Sequence, residues 1–569
     1  TFSAEVHNFF SSSSSYIVAK KEGILRRERN ETENAAAVIE IMLPALFKQK
    51  SSLVQGRILS RLRCKPRFLS TQHDYDLVVL GSGPAGQKCA IDASQRGKKV
   101  AIIDKSNMYG GVCVHTGTIP SKTFREAVLH LTGYKHKEYY GTEFGIGGSM
   151  GKINSGGLSF EDILARVHKV IQGELATLGD KGRAHNIRVY AGTASFLDQN
   201  TVMVKRERTN PSGGAVRTVD EAGADLVLTS DKFLISTGTR PVHPASIQFD
   251  GERVLDSDDM LAGNLKRMPR HFIVIGGGVI GMEYASMINI VPGCSATVID
   301  GREEVLPFMD RELTQTLRKI MRDDGARFLM GETVAAVTRR GDQVVVALDS
   351  GKKIVGDAVL YAVGRRTTVE ELNLPSGVKL TSRGLIEVDE NYQTGAPNVY
   401  AAGDVIGFPA LASTAMEQGR YASGHMWGDP VDARLSGFPY GIYTVPEMGM
   451  IGKTEQQLTE EGVDYEVGVA RLEECAKGQM LGGSAGLLKL LFRPDDLAGG
   501  RPLLGVHALG ENATEIVHIG QVAMDMGQGL DYFTQAVFNY PTFAEAYRAA
   551  AFDGLRRATA ARAAAAASA

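Results

Sequence analysis

With 569 residues, 43% of them apolar, 65 glycines and a net charge of −2, the chain is long enough for about four domains and reads as a glycine-rich α/β protein. So small a net charge gives no ground for a nucleic-acid or anionic-membrane partner, and no apolar run is long enough to span a bilayer. The five cysteines, Cys64, Cys89, Cys113, Cys294 and Cys475, are scattered, without metal-ligand spacing or the density of a secreted disulfide framework.

In chain order, residues 1–41 mix a serine run, Ser11 to Ser15, with a charged stretch from Lys20 to Glu33, a composition that does not fold on its own. From Met42, read as the initiator, to Gln72 the chain carries Lys48, Lys50, Arg57, Arg61, Arg63, Lys65 and Arg67 and no Asp or Glu. Leu53, Val54, Ile58, Leu59 and Leu62 interleave with these bases as on an amphipathic helix. The composition is that of an organelle transit segment, mitochondrial before plastid, with a plain basic tail as the other reading. Tyr75 to Leu80 is an apolar run typical of a buried parallel strand. It leads into Gly81-Ser82-Gly83-Pro84-Ala85-Gly86, a helical stretch to about Arg96, and a second strand, Val100 to Ile103, closed by Asp104. That is the layout of a dinucleotide-binding unit: glycines let the backbone approach a pyrophosphate, the helix start offers free N–H groups, and the acid takes ribose hydroxyls. The pattern recurs. His271 to Ile275 precedes Gly276-Gly277-Gly278-Val279-Ile280-Gly281, and Ala296 to Ile299 is closed by Asp300. One such fingerprint is weak; two with strand, helix and acid in place are strong. Polar stretches from Gly141 to Gly157 and Arg206 to Gly223 read as surface loops.

Other segments tie the copies together. Phe233 to Pro241 contains a strand and the Thr237-Gly238 turn, Leu360 to Arg365 a strand running into Gly364, and Val399 to Val405 the sequence Ala401-Ala402-Gly403-Asp404. Gly110 to Lys122 reads Gly-Gly-Val-Cys-Val-His-Thr-Gly-Thr-Ile-Pro-Ser-Lys, and Phe538 to Arg548 reads Phe-Asn-Tyr-Pro-Thr-Phe-Ala-Glu-Ala-Tyr-Arg. On these motifs the chain, from about residue 74 to 556, resembles the pyridine nucleotide–disulfide oxidoreductases. Within that family it is similar to the soluble, Si-specific pyridine nucleotide transhydrogenase branch, which shares the single cysteine, Cys113, with Thr118 at the second position. That branch also shares Tyr540 in the place of the histidine base of dithiol-using members. One departure is Met282, where a smaller residue is expected.

The resemblance implies an α/β fold of two nested Rossmann-like dinucleotide-binding domains plus a C-terminal α+β dimerisation domain. The expected division is a presequence over 1–73, an FAD domain over 74–255 and 366–436, an NAD(P) domain over 256–365, an interface domain over 437–556 and an Ala-rich tail over 557–569. FAD is expected on Gly81, Gly83, Gly86 and Asp104, near Gly111 and Cys113, with Thr237, Gly238 and Asp404 closing the other side. NAD or NADP is expected on Gly276, Gly278, Gly281, Asp300 and Gly364. Arg302 is either a 2′-phosphate ligand or an ordinary surface charge. Lys122 and Glu283 are implied as an ion pair at the flavin ring, and Tyr540 and Glu545 as groups sent into the partner's site of a homodimer. The implied reaction is hydride transfer from NADPH to NAD+ through FAD, in ping-pong fashion, with no redox disulfide and no metal. Cys113 is either packing or an oxidisable thiol. The alternatives are a dihydrolipoamide dehydrogenase-like enzyme, which needs a second sulfur, an NAD(P)H diaphorase or oxidase, and a catalytically idle flavoprotein acting as a binding module.

Overall fold

The computed structural model describes residues 73–136, 159–206, 224–429, 437–482, 485–494 and 500–568. The presequence, the 141–157 loop and the 207–223 stretch therefore lie outside the described residues. The chain enters with β1 (Tyr75–Leu80), α1 (Pro84–Gln95) and β2 (Val100–Asp104), then α2 (Gly111–His115), α3 (Thr118–Thr132) and α4 (Phe160–Ala184). Next come β3 (Arg188–Phe196), β4 (Thr201–Arg206), β5 (Leu226–Ile235) and the short β6 (Thr239–Pro241). A second unit runs β7 (Val254–Leu255), β8 (His271–Ile275), α5 (Val279–Asn289), β9 (Ser295–Asp300), α6 (Arg311–Asp323) and β10 (Arg327–Met330). It continues through a meander, β11 (Val334–Arg340), β12 (Gln343–Leu348) and β13 (Lys353–Gly356), to β14 (Ala358–Tyr361). β15 (Arg365–Thr367), β16 (Val399–Ala401) and α7 (Ala412–Met426) follow. The last unit holds β17 (Tyr440–Ile442), β18 (Met448–Gly452), α8 (Glu455–Glu460), β19 (Glu466–Arg471), β20 (Leu487–Phe492) and β21 (Leu503–Leu509). It ends with α9 (Ala513–Asp525), α10 (Leu530–Gln535) and α11 (Glu545–Ser568).

The first and second sheets explain why the strands read as unbroken apolar runs. β1 pairs in parallel with both β2 and β5, and β5 with β16, so Leu77 to Leu80 are buried on both faces. In the second sheet the order β10-β9-β8-β14-β7 is parallel throughout. In both sheets β1 and β8 sit inside, so each glycine turn emerges at the carboxyl ends of central strands, where ligands bind in open α/β sheets. An antiparallel pair, β6 with β15, joins the two units on the outward and return passages of the chain. The third large sheet, β17-β18-β21-β20-β19, is antiparallel and is covered by α9 and α11. The alanine-rich stretch after Arg557 continues α11 to Ser568, as the strong helix preference of alanine favours. Among the described residues no helix is long and apolar enough to cross a membrane.

One charged cluster joins the second and third units. Asp310 caps the start of α6, accepting from Glu312 N at 3.1 Å. It also accepts from Glu455 N at 3.2 Å, at the start of α8. The ammonium of Lys489, on β20 and with no exposed surface, lies 2.9 Å from Asp310 Oδ1, and it also bonds the Glu455 carboxylate. Burial works against that charge, but the two carboxylates outweigh it and hold the Lys489 ammonium above its usual range. Beside it, His507 on β21 is fully buried, with Nε2 2.9 Å from Lys453 O. Burial holds its imidazole below the usual range, against the pull of the Asp310 carboxylate. The unfolded chain then takes a proton that the native protein refuses. Stability contributed by neutral His507 is complete above about pH 6.5 and declines below it, by at most about 1.4 kcal/mol per pH unit. Thermal unfolding between about pH 7 and pH 5 checks this: the fall in midpoint should be shallower in His507→Gln, and equal slopes would refute it.

Candidate active site

The two glycine turns build the same backbone cradle. Gly81 has φ 99°, and a Cβ there would lie 2.4 Å from Ser236 O, so the position takes no side chain. A Cβ on Gly86 would lie 2.1 Å from Gly81 O, and one on Gly281 would lie 1.9 Å from Gly276 O. These glycines let helix and strand close up. The middle glycines differ in kind: a Cβ at Gly83 or Gly278 would meet nothing within 4 Å. Each is the N-cap of its helix with no side-chain cap, so the first-turn N–H groups point outward, free to receive a pyrophosphate. Gly111 approaches Gly83, with a notional Cβ 2.9 Å from Gly83 Cα. Gly86→Ala pushes a methyl group into Gly81 O, and the expected product purifies without flavin absorbance; a full complement of flavin would refute this.

Asp104 is braced as well as poised. Its Oδ2 accepts from Ser82 N at 2.6 Å and Ser82 Oγ at 2.5 Å, and its Oδ1 from Lys105 N at 2.7 Å. Burial raises the Asp104 carboxyl against these donors. Ser82 also accepts from Gly110 N at 2.8 Å, so it ties the glycine turn to the segment that carries Cys113. Its role was not legible in the sequence, because the middle position of Gly-x-Gly is unconstrained by the motif. On the other side, Asp404 is enclosed and burial raises its carboxyl, with Arg365 opposing. Thr239 Oγ1 lies 3.4 Å from its Oδ2. Thr237 Oγ1 beside Gly238 is buried without a hydrogen-bond partner. An enclosed acid and, from the Thr237-Gly238 turn, a buried hydroxyl without a partner fit the ribityl hydroxyls and pyrophosphate region of FAD, which Asp404 and Thr237 would hold.

Lys122 and Glu283 come together as expected, with Nζ 2.6 Å from Oε2. Lys122 stands on the second turn of α3 and Glu283 on α5, so the pair joins the two dinucleotide units. The remaining Glu283 oxygen, Oε1, accepts from Tyr443 N at 2.9 Å, and the Tyr443 ring lies 5.0 Å from the ammonium. Ser286, one turn along α5, accepts from Val445 N at 3.0 Å. Three segments far apart in the chain thus fix one lysine, and Tyr443 and Ser286 are the supports that sequence reasoning missed. Met282, the departure noted above, is fully buried in the core of α5.

Cys113 lies on α2 and Thr118 opens α3, with the Thr118 hydroxyl beside the Cys113 thiol. Burial raises that thiol despite the hydroxyl. A thiol kept protonated and facing a hydroxyl has neither the thiolate nor the second sulfur that exchange requires. Tyr540 is 70% exposed, and Glu545 at the start of α11 has a buried Oε1 with no partner. The bonds of Lys122 and Glu283 run to Ser121, Tyr443 and each other, not to these two residues.

The second cradle opens onto a cavity of about 640 Å³ lined by Gly276, Gly278, Asp300, Arg302, Tyr361 and Gly364 among others. Asp300 Oδ2 accepts from Gly277 N at 2.6 Å, a brace like that of Asp104. Arg302 closes a fork on the same carboxylate, Nε to Oδ1 at 2.9 Å and a terminal nitrogen to Oδ2 at 2.6 Å. Burial works against the Asp300 charge, but these donors win and hold the carboxyl below its usual range. Acid and base expected as separate ligands are therefore one pair.

Residues 75–419 match the family model described as pyridine nucleotide-disulphide oxidoreductase, and residues 438–551 match the dimerisation domain of that family. A protein of Mycobacterium bovis named soluble pyridine nucleotide transhydrogenase is 44% identical over 489 residues, which span 85% of this chain and 98% of that one. A protein of the same name from Pseudomonas aeruginosa is 41% identical over 490 residues, 85% of this chain and 99% of its own. Among solved structures, the HOCl-induced flavoprotein disulfide reductase RclA of Escherichia coli superposes with a TM-score of 0.70 at 25% identity, covering 84% of this chain and 99% of that one. LpdA of Mycobacterium tuberculosis gives the same score and identity, covering 84% and 98%.

Proposed function

The chain belongs to the pyridine nucleotide–disulphide oxidoreductase family, and from that membership we propose that it is an FAD-dependent transhydrogenase moving hydride from NADPH to NAD+. The observation that carries the reading is the contrast between two complete dinucleotide cradles and a redox segment with one sulfur. Cys113 faces Thr118, so electrons have no dithiol to pass to. FAD would supply the two-electron relay. The residues of the chain do the rest. Gly83 and Gly278 would present helix-start N–H groups to the two pyrophosphates, Asp404 and Thr237 would hold the ribityl chain, and Asp300 would take ribose hydroxyls where Arg302 yields. Lys122, held by Glu283, would supply positive charge to the reduced flavin. Both nucleotides use the 640 Å³ cavity in turn.

Exposed Tyr540 and the Glu545 carboxylate are read as groups that a second copy receives beside its own Lys122. With its high reference pKa, Tyr540 serves as a lining or hydrogen-bonding group and not as a base. The division into domains given above is part of the same reading. The basic, acid-free stretch from Met42 to Gln72 supports a mitochondrial address; a reporter fused to it and found diffuse in the cytosol would count against that.

The test is an assay of the FAD-loaded protein with NADPH and a thionicotinamide analogue of NAD+, read at the analogue's own absorbance. Parallel arms use NADH with lipoamide, with quinone and with oxygen. Steady transfer to the analogue supports the reading. Failure there with turnover on quinone or oxygen would establish a diaphorase or oxidase instead.

A further inference from the structure

The wall of the nucleotide cavity near Asp300 carries a second acid, Glu332, whose ion-pair partner, Lys352, stands outside the lining, and the reading above leaves both unused. Glu332 lines the cavity, and its backbone N donates to Asp300 O at 3.1 Å, while Gly331 N donates to Arg302 O at the same distance. The two acids therefore stand side by side on paired backbone. Lys352, in the turn between β12 and β13, reaches Glu332 Oε1 with its Nζ at 2.5 Å. The carboxylates are the enclosed members of both pairs, Asp300 8% and Glu332 12% exposed, and the cations are the outer ones, Arg302 51% and Lys352 60%.

We propose that Lys352 is a specificity-determining residue that, with Arg302, takes the 2′-phosphate of NADP(H), while Glu332 restrains it when the ribose carries only a hydroxyl. The inference rests on the reading of this cavity as the site of both nucleotides. Two acids balanced by two bases leave the adenosine end nearly neutral, so neither nucleotide meets a wall of one sign. A neutral ribose finds the cations already paired, and Glu332, whose Lys352 contact takes Oε1, keeps its other oxygen to accept a hydroxyl. A phosphate dianion draws both cations to itself. Each can turn without leaving a buried position, because its own head is half or more exposed. Arg302 supplies a fork that suits phosphate and Lys352 a point charge on a flexible stem.

Calorimetric binding of NADP+ and NAD+ to the FAD-loaded protein tests this without turnover. Lys352→Gln is expected to weaken NADP+ relative to NAD+ by about tenfold, the size of one lost charge-assisted contact. Glu332→Gln, which frees Lys352, is expected to shift the preference severalfold the other way. If Lys352→Gln leaves the ratio unchanged, or weakens both nucleotides alike, the assignment is wrong while the reading of the cavity stands. If neither nucleotide binds the unsubstituted protein, the reading of the cavity fails and this inference fails with it.

Discussion

Lys122→Met is expected to lower hydride transfer between the nucleotides by about two to three orders of magnitude, the loss seen when one preorganised electrostatic donor is removed from an enclosed site. The structure concentrates unusual support on this one side chain. Glu283 holds the ammonium at 2.6 Å, Tyr443 N holds the other oxygen of Glu283, and the Tyr443 ring lies alongside. An ammonium fixed in this way needs no rearrangement as charge builds up at its target, and that is what makes it effective. The loss should fall on kcat, with KM for NADPH changed far less, because Lys122 is no part of the Gly276–Gly281 cradle. Glu283→Gln keeps the lysine but loosens it, and should cost about a tenth of that, with flavin content retained in both variants. Steady-state kinetics of the three proteins decide the matter. A kcat for Lys122→Met within a few-fold of the parent would remove Lys122 from the chemistry.

The second large effect is on stability. Lys489→Met fits the apolar run of β20 but removes the counter-charge of Asp310 and Glu455, and should destabilise the protein by about 3–5 kcal/mol. Asp310 cannot relax into water, since it is fully buried and already serves as the cap of α6 and the acceptor of Glu455 N. Pairing Lys489→Met with Asp310→Asn should recover part of the loss, because the stranded charge is then gone. Denaturant unfolding of the single and double variants checks this. A single variant as stable as the parent would mean that the carboxylates are paired elsewhere.

The fold was legible wherever a backbone requirement writes itself into residue type. The glycines at 81, 83, 86, 276, 278 and 281, and the acids 104 and 300, stand where a tight turn, a helix start and a strand end need them, and the structure places them so. The ion pair of Lys122 and Glu283 was legible from family likeness alone. What holds it was not: Tyr443 and Glu283 are separated by 160 positions, and no local pattern records such a contact. The Lys489 cluster hid for a different reason. A lysine in Leu-Leu-Lys-Leu-Leu-Phe reads as the polar side of a strand, and only the carboxylates brought from α6 and α8 make its burial tolerable. The Asp300–Arg302 fork was half legible: both residues were apparent, but not that each occupies the other.

Asp310 belongs at once to the nucleotide unit, as the cap of α6, and to the interface unit, through Lys489 and Glu455. A hinge opening between those units would have to part the Lys489 ammonium from the Asp310 carboxylate, both without exposed surface. That joint sets a cost on separating the two units that loose polar contacts between domains do not carry.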